Sequence, residues 1–275
     1  VATLPIRERL RQLGVQPRKA LGQHFLHDPK VVQRIADLAD LTRDDLVVEI
    51  GPGLGVLTHE LAARAGKVIA IELDTRLAEY LRGQFRDSNV HVVHGDALAV
   101  DYRCLTSGRP YVVVANLPYS VATALIERLL TGEHPPERLI VMVQREVAER
   151  LAARPPDAAS LSVIAQLYAT PRIAFRVGAG AFVPPPKVES AVVVLERRPH
   201  IPLPRDERDR FSRLVRAGFA QRRKRLGNAL AAGLGVRKED VEAALRARGI
   251  DPSRRAETLE LEEWLAAYRM LRERL

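Results

Sequence analysis

Short apolar runs alternate with amphipathic stretches along most of the chain. Runs rich in β-branched residues predict strands at Leu46–Ile50, Lys67–Leu73, Val90–His94, Tyr111–Ala115, Leu139–Val143, Arg172–Val177 and Ala191–Leu195. Between them, apolar positions at helical spacing predict helices at Pro29–Ala39, Val56–Arg64, Arg76–Phe85, Ala122–Leu130, Arg145–Ala153 and Leu161–Ala169. Val112-Val113-Val114 is apolar on both strand faces, as a sheet covered by helices on each side requires. The alternation predicts parallel βα units in a Rossmann-like, doubly wound α/β sheet of seven strands.

The pattern changes after Pro199, where Pro-His-Ile-Pro-Leu-Pro cannot continue a helix and reads as an extended connector. Beyond it come only helical patterns, at Arg205–Phe219, Arg222–Ala232, Lys238–Arg248 and Leu261–Arg274, punctuated by Gly233, Gly235 and Gly249. The expected organisation is therefore a sheet domain over 1–199, opened by a basic leader from Val1 to Gly22, and a small α-helical domain over 200–275. Charge sharpens this division. The chain carries a net +9, and Arg205–Arg255 holds 15 Lys/Arg against 7 Asp/Glu, so most of the excess lies in the helical part and points to an anionic partner. A solvated, arginine-rich surface would show the same count.

Composition excludes disorder, with 47% hydrophobic and 28% charged residues. No apolar run approaches the roughly 20 residues of a membrane-spanning helix. The single cysteine, Cys104, cannot form an internal disulfide, and the opening residues lack the pattern of a secretory signal; a cytoplasmic setting is expected.

The first strand runs into Glu49-Ile50-Gly51-Pro52-Gly53-Leu54-Gly55. Its Gly-x-Gly-x-Gly spacing is one residue shorter than the dinucleotide fingerprint, and Glu49 precedes the first glycine by two. That disfavours a pyrophosphate-bearing cofactor. It favours one with an ammonium group and a positive sulfur, which a carboxylate at Glu49 would attract directly or through water. Glu72, at the end of the second strand, sits where an acid accepts ribose hydroxyls. Asp96, after the third strand, is a candidate acceptor for an adenine amino group. Singly, each acid reads equally as a helix cap or surface charge. Together they form a series at successive strand ends, where α/β sheets bind ligands.

The fourth strand ends in Asn116-Leu117-Pro118-Tyr119. An exocyclic adenine amine is a poor nucleophile because its lone pair is delocalised into the ring, and acceptors for its protons promote the pyramidal form that can attack. Asn116 offers a side-chain carbonyl, Leu117 a backbone carbonyl constrained by Pro118, and Tyr119 an aromatic face for a flipped base. A strand-ending turn with a half-buried tyrosine is the plainer reading of this tetrapeptide alone.

These motifs, with Gly22-Gln23-His24-Phe25-Leu26, the run Phe182-Val183-Pro184-Pro185-Pro186-Lys187-Val188-Glu189-Ser190 and Phe219-Ala220-Gln221-Arg222-Arg223-Lys224, resemble the ribosomal RNA adenine dimethyltransferase family, specifically its bacterial small-subunit branch. The resemblance spans nearly the whole chain. It implies S-adenosyl-L-methionine as cofactor, contacted by His24, Leu26, Gly51, Glu72, Asp96 and Asn116, to which the reading of the glycine turn adds Glu49 and Gly53, with catalysis by Asn116, Leu117, Pro118 and Tyr119 and no metal. It implies transfer of two methyl groups to N6 of each of two adjacent adenosines in a hairpin near the 3′ end of small-subunit ribosomal RNA, by a monomer acting on the small subunit or its precursor. Phe182 is expected to wall the target pocket, and Arg222, Arg223 and Lys224 to hold RNA phosphates. His24 departs from the asparagine common in relatives, and a ring that titrates changes that contact. Two alternatives share these motifs: a methyltransferase acting on large-subunit RNA, and a non-catalytic RNA- or DNA-binding factor of assembly or transcription. An NAD-dependent oxidoreductase would need a hydride-transfer site, for which no residues stand out.

Overall fold

A computed structural model describes residues 6–15, 23–221 and 223–274. Nine strands are present among the described residues: β1 (Phe25–Leu26), β2 (Leu46–Ile50), β3 (Lys67–Glu72), β4 (Val90–His94), β5 (Val112–Asn116), β6 (Arg138–Gln144), β7 (Ala169–Val177), β8 (Phe182–Val183) and β9 (Ser190–Arg197). Seven form one sheet in the order β4-β3-β2-β5-β6-β9-β7. β2 is buried throughout and β9 over its first six residues, whereas β4 and β7, at the two edges, have interrupted burial.

The helices are α1 (Ile6–Gln12), α2 (Pro29–Ala39), α3 (Val56–Arg64), α4 (Thr75–Gln84), α5 (Tyr102–Thr106), α6 (Ala122–Thr131), α7 (Arg145–Ala152), α8 (Ser160–Tyr168), α9 (Arg208–Phe219), α10 (Leu226–Leu234), α11 (Lys238–Arg246) and α12 (Leu261–Leu271). Asp28, Asp74 and Asp101 cap α2, α4 and α5 through their carboxylates. Two of these helices fall where the sequence reading placed none: α1 inside the basic leader, and the single-turn α5.

β2, β3, β4, β5 and β6 pair in parallel, as the βα alternation predicts, and β9 runs antiparallel to β6. The connection from β7 to β9 contains no α-helix to carry a crossover, and a strand entering without one runs against its parallel neighbours. Within that connection, β8 pairs with β1 (Phe25↔Val183, Leu26↔Phe182), a two-stranded ladder too short to show in an apolar pattern.

The chain forms two compact units. The first comprises the described residues through Ala148 with Arg172–Arg197; the second comprises Glu149–Pro171 with the described residues from Arg198 onward. Glu149–Pro171 was expected in the sheet domain, but α8 is buried from Leu161 through Tyr168 and so needs packing partners on every side. Within the second unit, Phe211 and Leu214 of α9 and Trp264 and Tyr268 of α12 supply fully buried apolar surface, and Ala158 N–H donates to the Glu257 carbonyl. The helix expected from Arg222 begins only at Leu226.

Gly218 on α9 approaches Trp264 so closely that a Cβ would lie 2.4 Å from the indole, which is completely buried. Alanine gains up to about 1 kcal/mol of helix propensity, but overpacking costs about 1–3 kcal/mol. Gly218→Ala is therefore expected to lower the urea midpoint of the second unit, followed by fluorescence of Trp264, the one tryptophan. A raised midpoint would contradict this packing.

Candidate active site

The sheet order changes direction between β3-β2 and β5, so a crevice opens at the carboxyl ends of these strands. The registers Val48↔Val113, Ile50↔Ile71 and Glu72↔His94 bring the ends of β5, β2, β3 and β4 side by side. Glu49, Glu72, Asp96 and Asn116 consequently line one cleft, with His24, Leu26 and the Gly51–Leu54 turn. Leu117, Pro118 and Tyr119 line it as well.

The turn from β2 into α3 passes through three left-handed glycines, with φ of 67° at Gly51, 59° at Gly53 and 78° at Gly55. At Gly53 space is limiting too, since a Cβ would meet the Phe25 ring at 3.1 Å. The Gly53 N–H donates to Glu72 Oε2 at 3.1 Å, and Asp74 N–H donates to Glu72 Oε1 at 2.9 Å. A carboxylate offers about four lone-pair sites, so Glu72 keeps acceptor capacity for a ligand hydroxyl. Burial pushes the Glu72 carboxyl up, and these backbone donors oppose the shift. Asp96 is exposed, and its Oδ1 accepts from the Leu98 N–H at 2.8 Å.

Glu49 is 2% exposed, and burial pushes its carboxyl up to about 8; the Glu72 charge adds to the rise, and the Thr58 hydroxyl opposes it. Neither Glu49 Oε2 nor Thr58 Oγ1 completes a hydrogen bond with the protein. A buried acid with an orphaned oxygen on a cleft wall suits a cationic ligand group, which would stabilise its ionised form.

Asn116 Nδ2 donates to the His24 carbonyl at 3.1 Å, across 92 residues of sequence. Because that carbonyl can only accept, the contact sets the amide's orientation and leaves Oδ1 as an acceptor. His24 Nδ1 in turn donates to the Pro184 carbonyl at 2.8 Å, and its ring lies 5.2 Å from that of Tyr119. Tyr119 Oη bonds Ser190 Oγ at 2.5 Å. The segment 184–190 is thereby tied at both ends to residues of the cleft. Leu117 is buried, with its N–H donating to Met142 O at 3.1 Å.

Phe182 does not wall the cleft. Its side chain is 2% exposed in the core with Leu26 and Val177, because pairing of β8 with β1 turns it inward. Arg223 and Lys224 are exposed in the second unit, where they line a concave surface with Arg225 and Arg246. Arg222 lies outside the described residues. Sequence reasoning missed Thr58 and the role of Ser190. Ser190 is 71 residues from its partner Tyr119, and nothing local marks either pairing.

Glu49 also sets a pH dependence of stability. Its carboxyl titrates near 8 when folded against an ordinary value of 4.5, so between these values the folded protein keeps a proton that the unfolded chain sheds. Stability present at pH 4.5 is then lost as pH rises through 8, by up to about 1.4 kcal/mol per pH unit from this group. Glu49→Gln is expected to flatten that decline in melting temperature for the ligand-free protein; parallel curves for the two proteins would refute the assignment.

A family model described as ribosomal RNA adenine dimethylase matches residues 14–273. Ribosomal RNA small subunit methyltransferase A of Pelotomaculum thermopropionicum is 46% identical over 276 residues, covering 94% of this chain and 92% of its own length. The protein of the same name from Moorella thermoacetica is 45% identical over 277 residues, covering 95% of each. Among solved structures, the 23S rRNA methyltransferase ErmE superposes with a TM-score of 0.72 at 30% identity, over 90% of this chain and 99% of its own. A dimethyladenosine transferase from Plasmodium falciparum, at 24% identity, shares the fold with a TM-score of 0.74 over 91% of this chain and 98% of its own. With its seven-stranded methyltransferase sheet and a match over almost its full length, the chain belongs to the ribosomal RNA adenine dimethylase family.

Proposed function

We propose that the protein uses S-adenosyl-L-methionine to dimethylate N6 of two adjacent adenosines in a hairpin near the 3′ end of small-subunit ribosomal RNA. The observation that carries this reading is the tethering of Asn116 Nδ2 to the His24 carbonyl, which presents a neutral acceptor in the same cleft as Glu49, Glu72 and Asp96. The small-subunit target is favoured because the relatives that share 45–46% identity are named small-subunit methyltransferases, whereas the 23S enzyme ErmE shares 30%. Action as a cytoplasmic monomer belongs to the proposal.

When bound, the cofactor supplies an electrophilic methyl group on a sulfonium. Glu49 would face its cationic end, the open lone pairs of Glu72 its ribose and Asp96 its adenine amine. On the target side, Asn116 Oδ1 and the Leu117 carbonyl accept from the adenosine amine, drawing its lone pair out of conjugation, and the Tyr119 ring stacks on the base. Ser190 holds the Tyr119 hydroxyl and so limits rotation of that ring. Holding the two reactants in attack geometry is the main source of acceleration, an effect worth up to about 7–11 kcal/mol. The excess proton leaves to water, because a methylated ammonium of this kind is acidic. Exposed Arg223 and Lys224, in the most basic part of the chain, serve phosphates.

The deciding experiment maps methylated adenosines in ribosomal RNA of cells with and without the protein. Loss of a dimethylated adenosine pair near the small-subunit 3′ end is expected; loss confined to large-subunit RNA would overturn the proposal. Asn116→Ala is expected to lower the single-turnover methylation rate by a factor of 10² or more, of order the loss of one oriented polar contact, while RNA affinity changes less than threefold. In a salt titration of RNA binding, Arg223→Gln with Lys224→Gln should flatten the log–log slope by about 0.9 per lost duplex-like contact and leave nucleoside affinity unchanged. An unchanged slope would return these side chains to a solvated surface.

A further inference from the structure

Glu49, given above to the cofactor's cationic end, has a buried neighbour in Thr58 that the methyl-transfer chemistry does not call on. Thr58, on α3, is completely buried, and its hydroxyl lies beside the Glu49 carboxylate on β2 without completing a hydrogen bond. Two buried polar atoms side by side without a completed hydrogen bond carry a desolvation cost that a ligand or a charge change relieves. Glu49 lines the cleft, so a ligand's charge can act on it directly.

We propose that the cleft exchanges a proton for a cation: Glu49 is protonated in the ligand-free protein, releases that proton when an ammonium-bearing nucleoside enters, and is then held as a carboxylate by the Thr58 hydroxyl, a positioning residue. This rests on the nucleoside-cofactor reading above. The charged group whose field reaches Glu49 is Glu72 on β3, a like charge that disfavours ionisation until a cation arrives. α3 presents the uncharged Thr58, and β5 the uncharged Asn116. The other titratable side chains around the cleft are His24, Asp96 and Tyr119, and none of them contributes to the shift at Glu49. With burial holding the free carboxyl near 8, the proton goes to solvent and binding draws on the ionised fraction. Apparent affinity should then fall about tenfold for each pH unit below 8.

The test is calorimetry of the full chain between pH 5.5 and 7, below the titration of a ligand α-amino group, in two buffers of different ionisation enthalpy. S-adenosylhomocysteine carries the ammonium group, whereas 5′-deoxy-5′-methylthioadenosine shares the nucleoside but has no charge. Close to one proton should be released per S-adenosylhomocysteine bound, with affinity rising about tenfold per pH unit, and close to none with methylthioadenosine. Glu49→Gln should abolish the release. Thr58→Val should weaken S-adenosylhomocysteine binding several-fold and leave methylthioadenosine binding unchanged, with Thr58→Ser restoring the wild-type values. Binding of both nucleosides without proton release, or equal release by Glu49→Gln, overturns the inference and leaves the cofactor reading standing. If neither nucleoside binds, the reading and the inference fall together.

Discussion

The Gly53 N–H bonded to the buried Glu72 carboxylate ties the turn after β2 to the end of β3, and the cleft is built around that tie. A peptide N–H pointing at a carboxylate requires the backbone to pass close by, which the left-handed φ at Gly53 permits and the Phe25 ring leaves room for only if no Cβ intervenes. Glu72 is held in turn by the Asp74 N–H at the start of α4. One carboxylate thus connects the turn, the sheet and the next helix.

That arrangement places two acids, Glu49 and Glu72, out of water and near each other, at a cost in desolvation and like-charge repulsion. Both carboxyls rise above their ordinary values for the same reason, desolvation. Backbone donors partly relieve Glu72, whereas Glu49 has only an incomplete partner in Thr58. A site in this condition favours ligands that bring positive charge or hydroxyl donors, and binding to the folded state alone returns the lost stability.

The target side of the cleft depends on segments far apart in the chain. Asn116 at the end of β5 is oriented by the His24 backbone, His24 by the Pro184 carbonyl, and Tyr119 by Ser190. The β1–β8 ladder holds residues 25–26 and 182–183 in register, so these contacts act as one assembly. A rigid frame of this kind suits catalysis by positioning, where loss of orientation costs rate before it costs binding.

The sequence by itself determined the seven strands of the sheet, the glycine turn, the acids at successive strand ends and the Asn116–Tyr119 motif, because each is encoded within a few consecutive residues. Apolar runs bounded by glycines and acids leave little choice of local structure. What crosses the chain was decided by the tertiary structure. The two-residue strands β1 and β8 carry no periodicity, and their pairing turned Phe182 into the core instead of the cleft. α8 reads from sequence as one more helix of the sheet domain, and only its packing among the C-terminal helices assigns it to the second unit. The Tyr119–Ser190 bond and the Glu49–Thr58 pair lie in the same category: a side chain's partner is a matter of distance in space, and local propensity holds no information about it.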